Sequence, residues 1–172
     1  FVAITVAIDT IGFGLIMPVM PTLLTELTGE TVNRAAIYGG WLAFVYAAMQ
    51  FLAAPVLGNL SDRFGRRPVL LIAIAALGID YVILALAPNL GWLFLGRMIA
   101  GMAGASFTPA YAYVADITPP DRRAQNFGVV SGAFGVGFIL GPALGGALGG
   151  LGSRAPFYAA AALSLVNLAY GY

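Results

Sequence analysis

Three ionisable residues, Asp9, Asp80 and Arg97, stand inside long apolar stretches of the chain. A charge at the centre of a bilayer costs about 2.5–3.5 kcal/mol even on lenient insertion scales, so a chain keeps one only where it faces a partner, water or a ligand. Asp80 precedes Pro88 by eight residues and Arg97 follows Leu90 by seven. At 1.5 Å per residue both lie roughly 10–12 Å below the same surface. Their depths predict a pair, either a static salt bridge between neighbouring hairpin helices or a cation that controls the protonation of a nearby carboxylate. Asp9 has no cation at comparable depth on the adjacent hairpin, and its neighbours Thr5, Thr10 and Gly12 are small or polar. An acid so placed suits a group that takes up and releases a proton; the alternative is a helix-packing acid held neutral or hydrogen-bonded.

Weaker signals accompany these three. Gln50, Ser106 and Tyr46, the last one turn from Gln50, are candidates for a substrate cavity, although amides and hydroxyls in membrane helices also make interhelical hydrogen bonds. Gly137, Gly141, Gly145 and Gly149 recur every four residues, with Pro142 and Gly146 among them. Residues four apart share a helix face, so the row forms a smooth groove for another helix, and the proline adds a bend. The segment 58–68 reads as a loop in which Gly58 allows close approach and Gly65 a sharp turn. Asp62 and Arg66 within it form either a switchable surface ion pair or a simple topological anchor.

No nucleophile, base and orienting group form a recognisable set, so no catalytic residue is assigned and an enzyme is disfavoured. Zero cysteines and zero histidines exclude a disulfide framework, a thiolate site, the commonest metal ligand and the commonest proton shuttle. No metal site and no cofactor are expected. A net charge of +1 leaves no field to attract nucleic acid.

The elements that must position these residues follow from composition. Of 172 residues 60% are hydrophobic and 9% charged, and mean hydropathy is +0.92. A soluble domain of this size cannot hide that much apolar surface. Glycine at 23 residues and proline at 10 fit membrane helices, which pack through small side chains. A span needs about 20 apolar residues to cross a hydrocarbon layer roughly 30 Å thick. Six stretches qualify: 1–24, 35–60, 68–87, 90–114, 127–151 and 155–172. They lack the short alternating pattern of a barrel, so the fold class is an all-α membrane bundle of six transmembrane helices. Arg63, Arg66, Arg67, Arg122 and Arg123 follow spans two and four, against Arg34 and Arg154 in the other loops. The basic side faces the cytoplasm, which puts the N-terminus there too. The first span has no basic start and carries Asp9, which sets it apart from a secretory signal. Both ends fall inside apolar stretches, so the expectation is a piece of a longer chain; a half-length protein pairing two copies is the alternative.

The segment 58–68 resembles the signature loop between the second and third helices of the major facilitator superfamily: Gly58, then Asp62-Arg63, Gly65, Arg66 and Arg67. Arg97 with Gly101 and Gly104 resembles the fourth-helix pattern of its proton-coupled members. The row Gly137, Gly141-Pro142, Gly145-Gly146 is similar to the fifth-helix pattern of its antiporters. The likeness runs the length of the chain and includes residues 9–18, Asp80-Tyr81 and Ala115-Asp116-Ile117-Thr118, which look like drug:proton antiporters of the tetracycline-efflux type.

The resemblance implies the N-terminal half of a twelve-helix fold with a 3+3 inverted repeat, although no sequence repeat is visible. It also implies export of a hydrophobic drug-like compound in exchange for protons by alternating access, with the proton gradient as energy source. The partners implied are the lipid bilayer, the substrate, protons and a C-terminal six-helix half. The location implied is the bacterial inner membrane. Asp9, Asp80 and Arg97 would couple protons, and Asp62, Arg66, Asp116 and Arg123 would form a cytoplasmic charge cluster that locks one conformation. A facilitator or nutrient importer of the same superfamily is the alternative, and a non-transporting scaffold or receptor a third.

Overall fold

The structure, a computed structural model, describes residues 2–104 and 107–172. Its elements are helices: α1 (Val2–Ile16), α2 (Met20–Thr28), α3 (Val32–Phe64), α4 (Arg66–Leu86), α5 (Leu90–Gly104), α6 (Phe107–Ile117), α7 (Arg123–Gly149) and α8 (Ala155–Gly171), with a 3-10 turn at Pro120–Arg122. α1 and α2 form one rod bent by 42°. The bend follows from Pro18, which has no N–H to give the Gly14 carbonyl. That carbonyl accepts the Met17 N–H at 3.2 Å instead. Four helical stretches are long and apolar enough to cross a membrane, and the bent α1–α2 pair makes a fifth. α8, with 17 residues, is the shortest of the rods.

Helix ends depart from the expected spans in one instructive way. The segment 58–68 is not a loop. α3 stays helical through Phe64 and α4 starts at Arg66, so a single residue, Gly65, makes the turn. Its φ of 97° lies where only glycine is comfortable. Within the polar stretch Ser61 returns its hydroxyl to the Gly58 carbonyl at 2.8 Å, and Asp62 pairs across the Gly65 turn with Arg66 at the start of α4. At 33 residues α3 is about 50 Å long, so its end projects beyond a hydrocarbon layer of about 30 Å.

The rods pack in a pattern that carries the repeat missing from the sequence. α1 lies on α7, α3 on α5, α4 on α8, α1 on α8, and α4 on α5. Exchanging the first three rods (α1–α2, α3, α4) for the last three (α5–α6, α7, α8) in order returns the same set of contacts. A two-fold relation of the inverted-repeat kind therefore organises the bundle. Leu15, Leu23, Leu24, Tyr81, Leu84, Leu93 and Phe157 fill one core cluster. Large apolar residues such as Phe51 (80% exposed) and Ile139 (73%) point outward, as helices solvated by lipid require.

The tightest contact is between α1 and α7. A Cβ on Gly137 would stand 2.7 Å from the Ala7 carbonyl, one on Gly141 2.6 Å from the Gly14 Cα, and one on Gly145 against the Leu15 carbonyl. A Cβ on Gly149 would stand 2.7 Å from Val19 Cγ1. The glycine row is the groove that receives α1. Gly146, by contrast, is exposed with nothing within 4 Å, so it lies outside the seam. In the intact protein, Gly141→Val is expected to force the two backbones apart, at a cost of about 1–3 kcal/mol or more. Gly146→Ala should stay within about 0.5 kcal/mol. Thermal unfolding in detergent compares the two.

Candidate functional site

The α1–α7 seam turns Asp9 and Phe13 away from α7 and toward the other rods. Asp9, Phe13, Tyr46, Gln50, Tyr81 and Phe134 line a cavity of about 300 Å³. Asp9 is partly buried, and its Oδ1 accepts a hydrogen bond from Asn167 Nδ2 at 2.8 Å. The same nitrogen donates to the Thr5 carbonyl at 3.0 Å. Thr10 spends its hydroxyl on the Val6 carbonyl, so it does not hold the carboxylate. The Phe13 and Tyr46 rings meet at 5.9 Å. Both also line a second cavity, of about 210 Å³, that Arg97 borders. This ring pair therefore stands between the space that holds Asp9 and the space that holds the guanidinium.

Asp80 and Arg97 meet as their depths predict. Arg97 Nη2 donates to Asp80 Oδ2 at 2.5 Å, with the carboxylate fully buried and the arginine side chain 7% exposed. Gly96 makes room for the acid, since a Cβ there would stand 2.5 Å from Asp80 Oδ1. The guanidinium also lies 5.9 Å from the centre of the Tyr46 ring, a cation–π distance. Gly101 and Gly104 let α5 press on α3, where a Cβ would meet the Tyr46 carbonyl and hydroxyl at 2.5 Å. Gln50 Nε2 donates to the Gly104 carbonyl at 3.0 Å while still lining the larger cavity, so the interhelical bond and the cavity position coexist. Ser106 lies outside the described residues.

At the opposite end of the helices, Arg66 is the hub. It pairs with Asp62, bonds Asp116 Oδ2 through Nε at 3.0 Å, and reaches Ser61 Oγ at 2.8 Å. One guanidinium thus joins α3, α4 and α6. Arg123, expected in the same cluster, stands elsewhere: its Nε donates to the Thr118 carbonyl at 3.3 Å. The reason is local. The chain turns at Pro119–Pro120, and Arg123 at the start of α7 is used to cap the free carbonyl that turn leaves. Arg67 donates to the Gly171 and Tyr172 carbonyls at the end of α8, and Arg63 packs on the Phe64 ring. A Cβ on Gly58 would meet nothing within 4 Å.

Two residues to which the sequence motifs assign no role belong to the site. Asn167, fully buried on α8, is the partner of Asp9. Its signal was an amide in the uncharged run 155–172. Tyr81, fully buried on α4, stands beside Gly12, where a Cβ would lie 3.3 Å from its hydroxyl, and lines the cavity that Asp9 borders.

Residues 2–172 match the Major Facilitator Superfamily. The chain is 52% identical to the class C tetracycline resistance protein of Escherichia coli over 97% of its own length and 42% of that protein's. It is 48% identical to the class G protein of Vibrio anguillarum, covering 92% of this chain and 40% of the relative. It is 35% identical to multidrug resistance protein 2 of Bacillus subtilis, over 91% and 38%. The chain thus spans about two fifths of the length of these relatives. Among solved structures, the human organic anion transporter MFSD10 superposes with a TM-score of 0.84 at 25% identity, over 99% of this chain and 45% of that one.

The buried ion pair makes a prediction about stability. Removing one partner strands the other in a low-dielectric interior, which costs on the order of 3–5 kcal/mol. Arg97→Leu in the intact protein is expected to lower the melting temperature sharply. Adding Asp80→Leu should recover part of the loss, because no uncompensated charge then remains.

Proposed function

The chain belongs to the Major Facilitator Superfamily, and on that premise we propose that it is the N-terminal half of an exporter that exchanges a tetracycline-type compound for protons by alternating access. The observation that carries this reading is the cavity bounded by Asp9. It offers one carboxylate, one amide and several aromatic rings around a volume suited to a planar, partly polar molecule. Tetracycline and multidrug resistance proteins among the relatives support the substrate class. In this reading Asp9 carries the proton, the Asp80–Arg97 pair tunes its surroundings, and Tyr46 and Gln50 contact substrate. Gly141 and Pro142 let α7 rock against α1. Arg66 with Asp62 and Asp116 locks one end of the bundle, and the missing six-helix half closes the cavity from the other side. The energy source is the proton gradient, with no cofactor.

The physical logic is competition. A ligand shifts a conformational equilibrium only by its differential affinity for the two states. A carboxylate that is charged in one state and neutral in the other supplies such a difference. The arginines at 63, 66, 67, 122 and 123 support placing that end, with both ends of the chain, on the cytoplasmic side of the bacterial inner membrane.

The test uses the full-length transporter in inverted membrane vesicles. Tetracycline is expected to accumulate while a proton gradient is maintained and to leak away when it is collapsed. Asp9→Asn is expected to abolish accumulation with the protein still present at normal level in the membrane. Accumulation that ignores the gradient would refute the antiport mechanism.

A further inference from the structure

We propose that Asn167 is a positioning residue that reads the charge state of Asp9 and passes it to the contact between α1 and α8. The proposal rests on the transporter reading above and concerns a side chain to which that reading gives no part.

Asn167 is fully buried and sits opposite two acceptors one turn apart on α1, the Thr5 carbonyl and the Asp9 carboxylate. Because both are acceptors, only the amide nitrogen can face them, which fixes the orientation of the side chain. Its two N–H groups are then spent on α1, one on the backbone and one on the acid. Among the described residues its own Oδ1 is buried with no hydrogen-bond partner, and so is the Thr5 hydroxyl. Buried polar atoms left unpaired are costly.

The two charge states of Asp9 use this amide differently. Ionised, the carboxylate takes a charge-assisted bond from Nδ2, of the stronger kind. Protonated, it accepts only a neutral bond and offers an O–H, for which the unpartnered Asn167 Oδ1 is an acceptor on the same side chain. Turning the amide to accept that proton withdraws Nδ2 from the Thr5 carbonyl. Proton uptake at Asp9 therefore weakens the link between α1 and α8. The titratable groups that face Asp9 across the cavity are Tyr81 from α4 and Tyr46 from α3. α8 contains no charged residue, α7 only Arg123 at its first position, and α6 only Asp116, which Arg66 holds. α2 contributes Glu26, bonded to Ser153 at the other end of the bundle.

The experiment reads tetracycline-induced proton release from the full-length transporter in proteoliposomes across a pH series. Asn167→Leu keeps bulk but donates nothing. It withdraws a bond made to the carboxylate form, so the pH midpoint of release is expected to rise, by about one unit or more. Asn167→Gln keeps a donor and is expected to stay closer to wild type. If the leucine variant fails to insert, Asn167→Ser, too short to reach Asp9, is measured in its place with the same expected shift. A reduced rate with an unmoved midpoint would make Asn167 a packing residue and overturn the proposal, as would a glutamine variant displaced as far as the leucine one. Asp9→Asn is measured alongside. Wild-type proton release from it would sink the role of Asp9 itself, whereas loss of release there beside an unmoved Asn167→Leu midpoint removes only the role of Asn167.

Discussion

No side chain separates the backbones of α1 and α7 along Gly137, Gly141 and Gly145, and the placement of the site depends on that contact. In lipid the hydrophobic effect does not drive helices together, so close van der Waals approach has to hold them. Glycine on α7 and Gly14 on α1 allow it, and the Pro142 ring fills the space beside Gly14 at 2.8 Å from where a Cβ would stand. With α1 fixed along this seam, its other face has one direction left. That face carries Asp9 into the cavity and Phe13 onto Tyr46, and it brings Thr5 and Asp9 up to Asn167. Widening the seam by a methyl group would shift all of these together.

Charge follows an equally strict rule. At the ends of the helices the arginines are spent on carbonyls and acids: Arg154 on Ala85 and Ala87, Arg66 on Asp62 and Asp116. The Arg154 contacts satisfy carbonyls at the end of α4 that would otherwise be left unpaired. The Arg66 contacts gather three helices around one guanidinium. Inside the bundle, Asp80 has a full positive partner and Asp9 has only a neutral amide. Among the described residues, the interior thus contains one balanced acid and one unbalanced acid.

The sequence made much of this legible because bilayer thickness and helical rise turn residue number into depth. Asp80 and Arg97 were matched on that basis alone, and they meet. The glycine spacing on α7 likewise announced a groove. What was not legible has a common cause: hydropathy describes the apolar centre of a helix and says little about its polar ends. Residues 58–64 look like loop by composition, yet α3 stays helical through Phe64 and only Gly65 turns the chain. The family resemblance puts Arg123 in the acid cluster, but the turn at Pro119–Pro120 places it on the Thr118 carbonyl. Asn167 escaped notice because an uncharged amide in an apolar run carries no obvious cost until its partner on another helix is known.

The difference between the two buried acids has a mechanistic consequence. A carboxylate bonded to a guanidinium is stabilised in its charged form, and releasing it for protonation strands the arginine, so Asp80 is suited to fixing structure and field. A carboxylate bonded to an amide loses less on protonation, because the amide can serve either form as donor or acceptor. Asp9 alone combines that freedom with an open face toward the cavity where a substrate would sit. A proton and a substrate competing at one acid need no long relay. They need only a carboxylate whose two charge states favour different arrangements of α1, a difference that the Asn167 link to the Thr5 backbone would supply in the proposed mechanism.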